Sequence, residues 1–269
     1  MSRGEEQVGG HGGSMVVEGS HLLKACLEPE LEFYKRLEND SLAEYAPEFH
    51  GTVTKDGKEF LILENLTEGM QDPVVMDIKM GTTTFVEGAE DLDTKRMDLL
   101  KKMIKVDPNA PSERQRETGI SKREYMLFRE GISSTTSLGF RIEGIKRIHA
   151  DDASKIEIDF KKVKSPDQVL EALKVFTSFR PQVAAEFKKL LAELEQVLRG
   201  SRLFASHKAT GSSILFLYDA KSSTVKLRLI DFAKTLPSNK HVSHEHGEDS
   251  GDGYFYGLGK LADIWNLLT

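Results

Sequence analysis

Pro73-Val-Val-Met-Asp77-Ile-Lys79-Met-Gly81 is apolar from 73 to 80 at every position but two, and those two carry opposite charges. A short apolar run with this β-branched content, closed by glycine, predicts a strand. Residues two apart on a strand share a face, so Asp77 and Lys79 point together. An acid and a base side by side in an apolar strand form either a strand-end ion pair or part of a site that handles charge, because an unpaired buried charge is costly.

Further β-prone runs lie on both sides. Phe49–Thr54 and Glu59–Leu66 are joined by Lys55-Asp-Gly-Lys58, and Asp-Gly between two such runs predicts a hairpin and a small β lobe. Ser213–Tyr218 and Val225–Phe232 predict a second hairpin, and Leu138–Ile148 another strand. Helices are predicted over Glu28–Leu37, Leu92–Val106, Lys122–Glu130 and the striped region Asp167–Leu198, which contains Pro181. Asp107-Pro-Asn-Ala-Pro111 must end the second of these, since proline cannot continue a helix and restricts its predecessor. Tyr254–Leu268 predicts a closing apolar helix with Trp265 in the core.

The 269 residues are 39% hydrophobic and 30% charged, as in one large domain or a two-lobed unit with a single cleft. No run approaches the roughly 18 apolar residues of a membrane span, and the opening MSRGEEQVGGHGGS lacks the apolar segment of a secretory signal. The single cysteine, Cys26, can form no internal disulfide, which fits a reducing, cytoplasmic setting. A net charge of −6 argues against a general nucleic-acid surface, because such binding needs a broad basic face. That average conceals a reversal. Thr94 to Arg147 holds 13 Lys and Arg against 7 Asp and Glu, a local +6, leaving −12 for the remainder. A stretch of this kind is either a solvated helix face or the lining of a polyanion pocket.

Phosphoryl transfer to an alcohol needs a cradle for nucleotide phosphates, carboxylates for magnesium, and cations for an anionic acceptor. Gly9-Gly-His-Gly-Gly-Ser14 is either a frayed tail or a loop that turns backbone N–H groups toward phosphate, with Lys24 on the next apolar run. Residues 1–8 ahead of it are expected to be flexible. Asp231, in Leu229-Ile-Asp-Phe-Ala-Lys234, ends an apolar strand and serves either as a magnesium ligand or as a turn cap. His241, His244 and His246 have a spacing that metals use, but their loop is rich in Glu and Asp and predicts solvated side chains.

Pro73-x-x-x-Asp77-x-Lys79-x-Gly81 resembles the signature of the inositol polyphosphate kinase family, and Ile230-Asp231-Phe232 and Gly211-Ser212-Ser213 resemble its two later motifs, in family order. Lys101–Pro111, Tyr125–Ser134 and Leu138–Lys146 are similar to the inositol 1,4,5-trisphosphate 3-kinase branch in particular. The resemblance implies an α+β, two-lobed, protein-kinase-like fold. It divides residues 9–269 into an N-lobe over most of 9–72, an inserted helical substrate lobe over 86–128 and a C-lobe over 129–269. It implies ATP and magnesium as cofactors and 3-hydroxyl phosphorylation of inositol 1,4,5-trisphosphate, with a broader multikinase and a non-catalytic pseudokinase as alternatives.

Position by position, the resemblance places Lys24 on the ATP phosphates, Glu64 and Leu66 at the adenine through backbone groups, and Asp231 and Ser213 on magnesium. It places Asp77 near the ribose and the reacting centre, and Lys79 at the acceptor hydroxyl or the transferring phosphate. Arg96, Lys102, Tyr125, Arg129 and Lys146 match the inositol phosphate pocket, although Leu99 and Leu100 stand where the family pattern would place Met and Tyr. No basic amphipathic helix precedes these motifs, so a calmodulin site is not expected within this chain.

Overall fold

Two antiparallel sheets stand on either side of one cleft in the computed structural model, which describes residues 15–86, 91–148, 160–246 and 252–268. The first contains β1 (Met15–Glu18), β2 (His21–Ala25), β3 (Phe49–Lys55) and β4 (Lys58–Glu64), in the order β1-β2-β4-β3. Asp56 and Gly57 both adopt positive φ between β3 and β4, the geometry an Asp-Gly hairpin turn requires. Helix α1 (Glu28–Leu37) connects β2 to β3, with Pro29 in its first turn. Its buried face is Glu30, Phe33, Tyr34 and Leu37, spaced as one side of a helix must be. The Gly-rich stretch Gly9–Ser14 falls outside the described residues.

The second sheet is built on β5 (Pro73–Met80). β6 (Phe140–Arg147) and β8 (Ser213–Asp219) flank it, and β9 (Val225–Ile230) follows β8, giving the order β6-β5-β8-β9. One face of β5 presents Met76, Ile78 and Met80, none of them exposed, to the main core. The other turns Val75 and Asp77 toward the cleft. Three helices cover the core face: α6 (Pro166–Phe176), α7 (Pro181–Gly200) and α9 (Tyr254–Asn266). Trp265 of α9 is fully buried and stacks on Phe216 of β8 with ring centroids 5.6 Å apart. Among the described residues no helix is long and apolar enough to cross a membrane.

A further group of helices leaves the body after Thr84: α2 (Met97–Val106), α3 (Glu113–Thr118) and α4 (Lys122–Ile132). They enclose a small apolar cluster of their own, Leu99, Leu100, Met103 and Ile120, with Ile104, Tyr125 and Phe128 packed against it. Capping boxes at Ser112 and Ser121 begin α3 and α4, supplying partners for N–H groups that a helix start leaves open. Among the described residues, shorter elements include α5 (Thr135–Leu138), α8 (Arg202–Ala205), a ribbon pairing β7 (His207–Ala209) with β10 (Thr235–Pro237), and 3-10 turns at Ser41–Tyr45, Phe160–Lys162 and Phe232–Lys234.

Several boundaries differ from the sequence reading. The helix expected from Leu92 starts only at Met97, because Arg96 is extended and its N–H donates to the Ile120 carbonyl at 2.9 Å. The strand expected from Leu138 starts at Phe140, after Gly139 turns left-handed at φ 70°. The region Asp167–Leu198 is two helices, parted by left-handed Ser178 and Phe179 ahead of Pro181. His244 is not solvated. It is 1% exposed, bonds Asp252 and the Phe204 carbonyl, and stacks on the Phe204 ring.

Candidate active site

The cleft between the sheets holds a cavity of about 390 Å³. Val17, Leu22 and Leu63 form one wall, and Val75, Leu217 and Ile230 the other. Lys24, Asp77 and Asp231 lie at one end. Apolar walls with a few ionisable groups among them suit a planar ring carrying a polyanion.

Asp231 is the centre of that charged end. It follows β9 in a left-handed conformation, φ 66° and ψ 59°, strain that natural proteins retain mainly at functional positions. Lys24 Nζ, from the opposite sheet, donates to Asp231 Oδ1 at 2.8 Å, and Lys79 Nζ to Asp231 Oδ2 at 3.4 Å. Burial alone would raise the Asp231 carboxyl, but Lys24 and Lys79 outweigh it and hold it down at about 2. Lys79 Nζ also donates to the Gly211 carbonyl at 2.9 Å, so the Gly211-Ser212-Ser213 segment fixes its position.

Asp77 lies beside this pair without joining it. Its Oδ1 and Ser213 Oγ are both buried without a well-formed hydrogen bond, although the Ser213 hydroxyl lies near enough to favour the Asp77 carboxylate. Burial raises the Asp77 carboxyl to about 6 even though Lys79 pulls it down. Gly81, at the end of the same strand, has φ 95°, and a Cβ there would lie 2.9 Å from the Asp252 carbonyl oxygen, so the signature glycine permits both a left-handed bend and a close backbone contact.

Among the described residues no three His, Cys, Asp or Glu side chains cluster as a metal cage. The groups present still fit magnesium, which keeps one or two carboxylates and completes its shell with water and substrate phosphates. Asp231 supplies the ionised carboxylate, and the buried Ser213 Oγ and Asp77 Oδ1 supply further oxygen atoms on the adjoining strands.

Three residues that the sequence reading did not single out belong here. Glu30 is fully buried, and its Oε1 accepts from Lys24 Nζ at 2.7 Å and from Phe232 N at 3.0 Å. Its signal was available, since it is an acid on the apolar stripe of α1. Lys234 Nζ donates to the Thr84 carbonyl at 2.8 Å. Burial, then the charges of Lys79, Lys122 and Arg141, bring its ammonium down to about 8. Lys122, at the start of α4, therefore belongs with Lys79, Lys234 and Arg141 to one cationic group reaching from the inserted helices to Lys79.

The remaining candidates are spread more widely. Glu64 and Leu66 line the cavity, where the Leu66 carbonyl accepts from Lys226 Nζ at 3.2 Å. Arg129 is buried on α4 and reaches Glu143 at 3.5 Å. Tyr125 packs beside Phe128 on the small cluster. Arg96 forms a two-nitrogen bond to Asp98 at 3.0 and 2.8 Å, and the charge of Lys102 acts on the same carboxylate. Arg96, just ahead of α2, is thus tied to Asp98. Lys146 lines the cavity between the sheets.

Residues 60–266 match the family model for inositol polyphosphate kinase. The chain belongs to the inositol polyphosphate kinase family. Inositol-trisphosphate 3-kinase A of Homo sapiens is 39% identical over 96% of this chain, and the 3-kinase homolog of Caenorhabditis elegans 35% identical over 96%. The chain spans 58% and 54% of the lengths of those two relatives. An inositol polyphosphate multikinase of Schizosaccharomyces pombe is 26% identical over 88% of the chain. The fold agrees with the crystal structure of an inositol phosphate multikinase from S. cerevisiae, solved with ADP and Mn2+, at a TM-score of 0.62 and 22% identity over 93% of this chain and 99% of that one. Membership of the inositol polyphosphate kinases accounts for the order of the three motifs, since β5, the start of β8 and the end of β9 each deliver one of them to the same cluster.

Proposed function

We propose that this protein transfers the γ-phosphoryl group of ATP to the 3-hydroxyl of inositol 1,4,5-trisphosphate, giving inositol 1,3,4,5-tetrakisphosphate. The observation that carries the reading is Asp231 held between Lys24 and Lys79, one from each side of an apolar cavity. The choice of acceptor is supported by 35–39% identity to inositol-trisphosphate 3-kinases against 26% to the multikinase. Cytoplasmic placement fits a lone cysteine and the use of ATP.

In this reading the adenine occupies the apolar cavity at the backbone of Glu64 and Leu66, and Lys146, in the same wall, serves the nucleotide rather than the acceptor. Lys24 neutralises ATP phosphate, and Glu30 keeps its ammonium directed at the cavity end. Asp231 and Ser213 hold magnesium, which when bound offsets charge on the phosphate oxygens. Lys79 is placed for the oxygen that attacks or the phosphoryl group in flight, and Asp77 for orienting the acceptor hydroxyl or receiving its proton. Arg129, Lys122 and Lys234 form the near side of the acceptor pocket, with Tyr125, Arg96 and Lys102 further out on the inserted helices. Arginine offers a planar fork to a phosphate and lysine a point charge. Positioning and charge neutralisation then supply most of the rate.

The test is product analysis after incubation with ATP, magnesium and inositol 1,4,5-trisphosphate, with Asp231→Asn as the blank. Phosphate on the 3-hydroxyl is expected. Phosphate at another ring position, or comparable rates on bis- to pentakisphosphates, would replace this reading with the multikinase one, and binding of both ligands without turnover would replace it with the pseudokinase.

A further inference from the structure

Glu143 occupies a bulge. Along the β5–β6 ladder Asp77 faces Gly144 and Ile78 faces Ile142, so Glu143 has no partner across the strands. Bulges beside active sites commonly re-aim a side chain. Here the extra residue lines the cavity next to Asp77, where its carboxylate accepts from Arg141 Nε at 2.8 Å and from Arg129 at 3.5 Å.

The two arginines depend on it unequally. Arg141 has two other anchors, Thr84 Oγ1 at 3.2 Å and Thr135 Oγ1 at 3.3 Å. Among the described residues, Arg129 has its hydrogen bond to Glu143 alone, and its Nε is buried without a partner. Both arginines are buried, Arg141 at 3% and Arg129 at 4% exposure. A second buried carboxylate, Glu130, serves Thr84, which in turn bonds Arg141, so the unused donors are on Arg129, the state of a group awaiting an anion.

We propose that Glu143 is a positioning residue, which holds the Arg129 guanidinium where an acceptor phosphate meets it and so ties α4 to β6, the strand paired with the one carrying Asp77 and Lys79. The proposal rests on the kinase reading above. It assigns Glu143 an effect on the acceptor and not on the nucleotide, although its side chain lines the cavity assigned to the nucleotide.

Steady-state kinetics with ATP and inositol 1,4,5-trisphosphate varied separately test it, on the unaltered chain, Glu143→Gln and Glu143→Asp. In Glu143→Gln the KM for the inositol phosphate is expected to rise about tenfold, the size of one weakened charge-assisted hydrogen bond, with the KM for ATP within about twofold. Glu143→Asp keeps the charge but retreats by one methylene, and its acceptor KM should lie between the two, about threefold raised. An unchanged acceptor KM, or an equal rise in both constants, overturns the proposal. If Glu143→Gln does not fold, Glu143→Asp decides by the same criterion. No turnover by the unaltered chain would sink the functional reading instead. Calorimetric titration of inositol 1,4,5-trisphosphate into the unaltered chain and Glu143→Gln would then test Glu143 alone, with equal affinities counting against it.

Discussion

Asp77 and Lys234 serve one charged cluster with titrations displaced toward each other, to about 6 for the acid and about 8 for the base. The ionised form of Asp77 is lost as pH falls through the lower value, and the cationic form of Lys234 as pH rises through the upper. A bell-shaped profile of kcat/KM for the acceptor is therefore expected, falling about tenfold per pH unit beyond either limb. Lys234→Arg should remove the alkaline limb, because a guanidinium stays charged over this range. An unmoved limb in that variant would assign it elsewhere. At Asp231 the exchange to Asn should lower kcat by about a thousandfold or more, as loss of a principal electrostatic group does. Its melting temperature should change little, since Lys24 keeps its 2.7 Å bond to Glu30; a large fall would show the residue to be chiefly structural.

Elements pack here at distances that leave little tolerance. A methyl group added to Gly257 of α9 would lie 2.1 Å from the Gly139 carbonyl oxygen, so Gly257→Ala should cost about 1–3 kcal/mol through displacement of the helix. Urea titration measures this, and an unchanged midpoint would mean that α9 moves freely. Where the chain passes from β4 to β5, Asp219 accepts from the backbone N–H groups of Gln71, Asp72 and Lys221 at 2.9–3.1 Å. Asp219→Ala leaves those donors unpaired and should destabilise by about 1–3 kcal/mol. Most elements were legible because each had a local cause, such as Asp-Gly between β3 and β4 or the stripe on α1. The start of α2 was not, because a long-range pairing of Arg96 with Ile120 overrides a helical composition. The motifs marked Asp77, Lys79 and Asp231, whereas Lys122, Lys234 and Glu143 acquire significance only when distant segments meet. His244 likewise looked wet beside acidic neighbours and is buried by Phe204 and Asp252, 40 and 8 residues away in sequence.

Across the whole molecule, Lys24 with Asp231 and Glu64 with Lys226 link the two sheets ionically across the cavity, so a ligand there binds both at once. ATP with magnesium at about a hundred times its Kd should add about 2.7 kcal/mol to unfolding stability. Thermal melts with and without the ligand read this out, and Asp231→Asn should abolish most of the gain. A second connection lies at the root of the inserted helices. Thr84 gives both its N–H and its hydroxyl to Glu130 Oε1, at 2.7 and 3.0 Å, which clasps the polypeptide where it departs and where it comes back. The body is thereby closed beneath the excursion. Another set of helices spliced between the same two residues would stand on an unaltered floor, with the space between the sheets left as it is.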